Sequence, residues 1–143
     1  MLTAQKTLKL SRFSELYDIL LDKGSFLCRF HDEVDFDFIY DELRDKYSPD
    51  MGREAICPIY LFKCLILKTI SDLSDQDLMD EIKVNLQYKY FLDMAPEDMP
   101  PNASTLCVFR RQRLQDNNLM QVLLGKTFEM ALERGIVQRS GKD

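Results

Sequence analysis

Tryptophan is absent, histidine occurs once, and glycine and proline occur five times each in 143 residues. So few chain breakers exclude a low-complexity or collagen-like chain and argue against a turn-rich β-sandwich. None of the four cysteines (Cys28, Cys57, Cys64, Cys107) belongs to a C-x-x-C pair. With one histidine there is no closely spaced zinc-ligand set, so reduced packing thiols of a cytoplasmic protein are expected. No apolar run reaches the roughly 20 residues of a membrane span, and residues 1–10 lack the apolar core of a secretory signal. No membrane partner and no small-molecule ligand is expected. No phosphate-cradling glycine loop or nucleophile–base pair stands out, and Gly52 with Arg53 is too little to make one. No catalytic or metal-ligating residue is therefore assigned.

What is present is organised around CPIYLFKCLILKTIS at 57–71. Only Lys63, Lys68 and Thr69 break its apolar interior, and a helix apolar nearly all round is a buried one. Pro58 suits its first turn, where a missing N–H costs nothing. The spacing predicts an all-α domain of six to seven helices around a buried central helix at 58–70. Before it, Ser11 is expected to cap a helix running to Asp22, with Phe13, Leu16, Tyr17 and Leu20 inward and Gly24 at its end. Phe26, Leu27 and Phe30 read as an apolar connection. His31, beside Asp32 and Glu33, reads as a surface or capping residue. Phe36, Ile39, Tyr40 and Leu43 form the buried stripe of a helix at 35–46. After the core, Ser74 and Asp77 resemble a capping box opening a helix at 75–84. A short helix follows at 85–91, and three prolines make 95–101 a loop. A helix at 103–115 and a last one closed by Gly135 complete the domain.

The net charge of −5 is unevenly spread. Residues 31–50 and 72–98 each carry eight acids against two bases, whereas 99–143 carry seven bases against four acids. On the helix at 103–115, a turn of 100° per residue puts Leu106, Cys107, Phe109 and Leu114 on one side. Arg110 and Arg113 share that side and are expected to pair with acids of the preceding helices, such as Asp77, Asp80 or Glu81. Ser104, Thr105, Val108, Arg111, Gln112 and Gln115 fall on the other side.

Four segments occur in an order that resembles a known family: GREAICP at 52–58, LSDQDL at 73–78, YFL at 90–92 and STLCVFRRQRL at 104–114. Together they resemble the N-terminal domain of bacterial insertion-sequence transposases of the IS-five superfamily, in its IS-eleven-eighty-two-like branch. GKTFEMALERG at 125–135 looks like that family's link towards the catalytic half. The resemblance implies a helical domain that recognises the element's terminal inverted repeats. It places the chemistry in a following RNase H-like domain with an Asp-Asp-Glu triad, the only part expected to need Mg²⁺. Asp143 lacks the strand context of a first catalytic aspartate and is not assigned that role. The expected organisation is a tail at 1–10, the helical domain at 11–135 and a linker at 136–143, with no enzymatic activity of its own.

Three function classes follow. In the first, helices within 75–115 form a trihelical helix-turn-helix that binds double-stranded DNA. Ser104, Thr105, Arg111 and Gln112 then reach bases or phosphates, and Lys83, Lys89, Lys126, Arg134 and Arg139 touch phosphates. The long loop before the last of these helices and the acidic block before it count against a simple repressor-like motif. In the second, the domain pairs transposase subunits through its acidic block and last helix. In the third, acidic residues hold Mg²⁺ for an independent enzyme, but no base or nucleophile accompanies them.

Overall fold

The computed structural model describes residues 11–43, 57–111 and 117–136. Within them the chain forms eight helices and no strand: α1 (Glu15–Leu20), α2 (Phe26–Glu33), α3 (Asp37–Leu43), α4 (Pro58–Ser71), α5 (Asp75–Val84), α6 (Leu86–Phe91), α7 (Ala103–Phe109) and α8 (Asn117–Glu133). The chain is a single all-α domain, as expected. The tail at 1–10, the turn at 48–52 and residues 137–143 lie outside the described residues. No helix among the described residues is long and apolar enough to cross a membrane.

α4 is the centre. Pro58 occupies its first turn, and Asp72 closes it in a left-handed conformation (φ 61°). The Asp72 N–H donates to Lys68 O at 2.8 Å. Phe62, Cys64, Ile66 and Leu67 are almost wholly buried. Around them pack Ile39 and Leu43 of α3, Leu78 and Ile82 of α5, and Leu106 and Phe109 of α7, in one continuous cluster. Truncating one of these large side chains to alanine costs about 2–5 kcal/mol, because the cavity left behind adds to the lost burial. Burial alone pushes the Cys64 thiol up to about 12, so it stays protonated and inert. The last turn emerges into solvent, where Ile70 is 41% exposed.

Phe30 of α2 joins this core to the rest. Its ring lies 5.2 Å from Phe91, 5.6 Å from Phe26, 5.7 Å from Phe36 and 6.0 Å from Phe128. Through Phe128, Leu123 and Ala131, α8 closes over the same cluster. α8 ends in a Schellman arrangement: Gly135 has φ 74°, and Ile136 N–H donates to Ala131 O at 2.9 Å. Arg29 of α2 donates to Arg134 O at 2.9 Å, satisfying a second carbonyl of that end.

Residues 11–33 depart most from expectation. Residues 26–33 are a helix rather than a connection, which raises the count of described helices to eight. It is held by packing on α6 and by an Arg29–Glu33 pair at 2.8 Å, one turn apart. α1 begins after Ser14, not at Ser11, and ends at Leu20, so Gly24 does not terminate it. Of its expected stripe only Tyr17 is fully buried; Phe13 and Leu20 are exposed. A six-residue helix is too short to be stable alone, and its position follows from Tyr17.

Candidate nucleic-acid interface

The geometry of α7 starts at α5. Ser74 caps α5 by accepting from Asp77 N–H at 3.1 Å, the capping-box half expected from sequence. This fixes Asp75 in the first turn, close to the end of α4. Pro100, Pro101 and the extended Asn102 then lead into α7. Leu106 and Phe109 are buried, while Ser104, Val108 and Arg111 face solvent and Thr105 is half-buried. Leu106 and Phe109 thus fall inward and Ser104, Val108 and Arg111 outward, as expected, whereas Cys107 and Thr105, expected on opposite sides, are both half-buried. Past Phe109 the chain continues in a wider turn through Arg110 and Arg111. Gln112 and Arg113, like Arg139, lie outside the described residues.

Arg110 points inward and pairs with an acid of the preceding helix, but the acid is Asp75 rather than Asp77, Asp80 or Glu81. The fork is bidentate: Nη1 donates to Oδ1 at 3.1 Å and Nη2 to Oδ2 at 2.8 Å. Asp77 and Asp80 lie on the solvent face of α5, and Glu81 accepts from Asn85 Nδ2 at 2.8 Å. Lys68 of α4 reaches the same carboxylate at 3.2 Å. The Arg110 hydrogen bond, reinforced by Lys68, holds the Asp75 carboxyl below its ordinary value, and Asp75 in turn raises Arg110. One residue along, Arg111 is exposed, with Nη1 3.8 Å from Cys107 Sγ.

The lysines divide. Lys83 is about half exposed and lies 3.7 Å from Asp80. Lys126 is exposed and 3.6 Å from Glu42. Lys89, expected at a phosphate, is only 3% exposed and donates to Pro96 O at 2.7 Å. It serves the connection at 92–102 and is withdrawn from the interface. That connection is longer than the loop anticipated at 95–101 and far from the three- or four-residue turn of a simple helix-turn-helix. α5 packs against both α6 and α7, so the three helices are neighbours without that tight turn.

A second polar centre lies where the sequence suggested none. His31 is not a surface cap: its Nδ1 lies 2.7 Å from Asp32 Oδ1 and its Nε2 2.6 Å from Asp93 Oδ1. Asp93 adopts φ 62° and is 7% exposed. Lys63 of α4 donates to Phe91 O at 2.8 Å and to Asp93 Oδ2 at 3.3 Å, under the rings of Phe36 and Phe91. Burial lowers the Lys63 ammonium, and Asp93 opposes that shift. Tyr90 completes the group by donating to Asp32 Oδ1 at 2.7 Å. A cavity of about 450 Å³ opens beside it, between Ile59, Tyr60 and Met94 on one side and Met99, Pro100 and Pro101 on the other. Both imidazole nitrogens lie within hydrogen-bond distance of carboxylates, so neither is turned towards an incoming substrate. The one sequence signal of this centre was a lysine in the middle of the most apolar helix, since a buried lysine needs a partner. Among the described residues no group of three His, Cys, Asp or Glu side chains is arranged to hold a metal ion.

No curated protein and no solved structure matches this chain. Residues 14–112 match the family model described as Transposase domain (DUF772). The match runs from the N-cap position of α1 to just beyond the paired arginines and so takes in α4, the Asp75 bridge and the polar centre around Asp93. With well over half of its length inside that model, the chain belongs to the transposase domain family.

Proposed function

We propose that this domain is a DNA-binding module of an insertion-sequence transposase, in the IS-five superfamily and its IS-eleven-eighty-two-like branch, which reads the element's terminal inverted repeats. The phosphoryl-transfer chemistry belongs, in this reading, to an RNase H-like domain other than this one. The observation that carries the proposal is the sorting of the two arginines that follow α7. Arg110 is locked to Asp75, while Arg111 beside it and Ser104 in the first turn of α7 stand outward. An outward helix face with short polar side chains and an arginine suits groove contact, since arginine can pair with a base edge or a phosphate. Thr105 and Gln112 extend the proposed contact set, with Lys83, Lys126 and Arg134 as phosphate neighbours.

The test is fluorescence anisotropy with two labelled duplexes, the terminal inverted repeat of the parent element and its scramble, at low and physiological salt. The wild-type chain binds the repeat more tightly. Arg111→Ala costs about 1–3 kcal/mol in that binding and leaves the melting temperature unchanged. Arg110→Ala lowers the melting temperature by several degrees, because it removes the bidentate partner of the half-buried Asp75 carboxylate and leaves it Lys68 alone. Equal binding to both duplexes, or an Arg110→Ala melt that matches wild type, overturns the assignment.

A second reading rests on a separate observation. Ile19 and Leu20 of α1 are 66% and 60% exposed, and Val84 at the end of α5 is 81% exposed. Apolar side chains of this size at the surface suit contacts between subunits of an assembled transposase. Failure to bind either duplex, with a sedimentation coefficient that rises with protein concentration, selects this reading.

A further inference from the structure

Three elements converge at Asp75. Lys68 comes from the last turn of α4 and lies 3.2 Å from Oδ1; its side chain is 33% exposed. Arg110 follows α7, uses both Nη atoms on the carboxylate, and is 30% exposed. Asp75 itself is 19% exposed at the start of α5. Neither cation is deeply buried, so without the carboxylate Arg110 is released towards solvent and Lys68 keeps only Leu73 O as its partner. Attraction between such cations and phosphates is indifferent to sequence.

We propose that Asp75 is a specificity-determining residue of the α7 interface, withholding Lys68 and Arg110 from DNA phosphates so that Arg111 and its neighbours on the outer face make the sequence-dependent contacts. This rests on the DNA-binding reading above and adds a role for an acid that a basic-patch search would discard. Three features of the site support it. The Arg110 fork is bidentate, so its planar face and both terminal amines are fixed on protein. Lys68 also donates to Leu73 O at 2.9 Å, which ties its ammonium to the α4–α5 corner. The carboxylate is a short side chain at the start of a capped helix, where negative charge is favoured, so it does not swing away to release its partners.

Salt dependence separates this role from simple support of the fold. Each further phosphate neutralised by the protein steepens the fall of log K with log salt by about 0.9, which at roughly 100 mM salt amounts to about eightfold in affinity. Asp75→Asn in the full chain is expected to tighten binding to the scrambled duplex by about that factor for each cation released. It steepens the salt slope by about one to two units and shrinks the preference for the inverted repeat. Asp75→Glu keeps the wild-type slope. Adding Arg110→Gln to Asp75→Asn takes back about one unit of slope. Arg110→Gln alone, which leaves Asp75 in place, leaves the slope at its wild-type value.

If Asp75→Asn weakens both duplexes equally with an unchanged slope, the residue is structural and the inference is wrong. It is equally wrong if Arg110→Gln alone flattens the slope by about one unit, because Arg110 would then already touch phosphate in the wild type. A wild-type chain that binds neither duplex defeats the DNA-binding reading itself. A wild-type chain that discriminates, with a slope that Asp75→Asn leaves unmoved, defeats only the role of Asp75.

Discussion

Lys63 is a cation inside the most apolar helix of the chain, and its surroundings explain how it is tolerated. Two of its three donors go to Phe91 O and Asp93 Oδ2, and its charge faces two aromatic rings. Such a group is weak evidence of net stabilisation, but breaking it is costly because a buried charge is left without its partner. Asp93→Ala is therefore expected to destabilise the fold by about 3–5 kcal/mol in urea unfolding. It strips Lys63 and His31 of a shared carboxylate and places alanine at φ 62°, where aspartate and asparagine are better tolerated. Lys63→Met combined with Asp93→Asn is expected to cost less than the sum of the single changes, since the two sites are in contact. Strict additivity of the two would show that the charges do not depend on each other.

At the scale of the helix, α1 depends on one side chain. Tyr17 stacks edge-on against Tyr90 at 5.3 Å and donates its hydroxyl to Met94 O, whereas Ile19 and Leu20 contribute little burial. Tyr17→Ala is expected to undock α1, so that trypsin cleaves at Lys23 much faster than in wild type while the circular dichroism of the remaining helices persists. Unchanged cleavage would mean that other contacts hold the element. This helix also marks where the sequence was hard to read. α4, α5 and α6 were legible because their signals are local: an apolar run behind a proline, a serine cap, and Leu86 and Tyr90 one turn apart. The limits of α1 and the existence of α2 were not: Phe26, Leu27 and Phe30 do share one helical face, but they cover barely more than one turn, and the element is completed by packing on α6, far along the chain. In the interface, the sides of α7 followed from a helical wheel. The partner of Arg110 did not, since several acids of α5 satisfy the same wheel and only the α4–α5 corner selects Asp75. The pairing of His31 with Asp93 spans 62 residues and that of Lys63 with Asp93 spans 30, beyond any local pattern.

At the scale of the whole molecule, three carboxylates held below their ordinary values shape acid stability: Asp75, Asp32 and, at the surface, Glu33, which Arg29 lowers. Asp75 is held below its ordinary value of 3.8 by hydrogen bonds from Arg110 and Lys68. Asp32 is also lowered: burial alone would raise it, but the hydrogen bonds from His31 and Tyr90 outweigh that. A carboxyl with a depressed folded value binds protons less readily in the native state. Its contribution is therefore complete above the unfolded value and lost as pH falls through the folded one. The melting temperature is expected to fall progressively below about pH 4, and Asp75→Asn to remove part of that dependence. A melting temperature that rises on acidification over the same range would contradict the assigned shifts.

The connection at 92–102 has no regular structure, yet carbonyls from just before it through its first half are claimed in succession: Phe91 O by Lys63, Met94 O by Tyr17 and Pro96 O by Lys89. The half of the loop fastened at these points is a strut between α6, α4 and α1, and α7 beyond it packs directly on α4 and α5. A load applied to the helix proposed to meet DNA is therefore delivered to the core rather than absorbed in the connection.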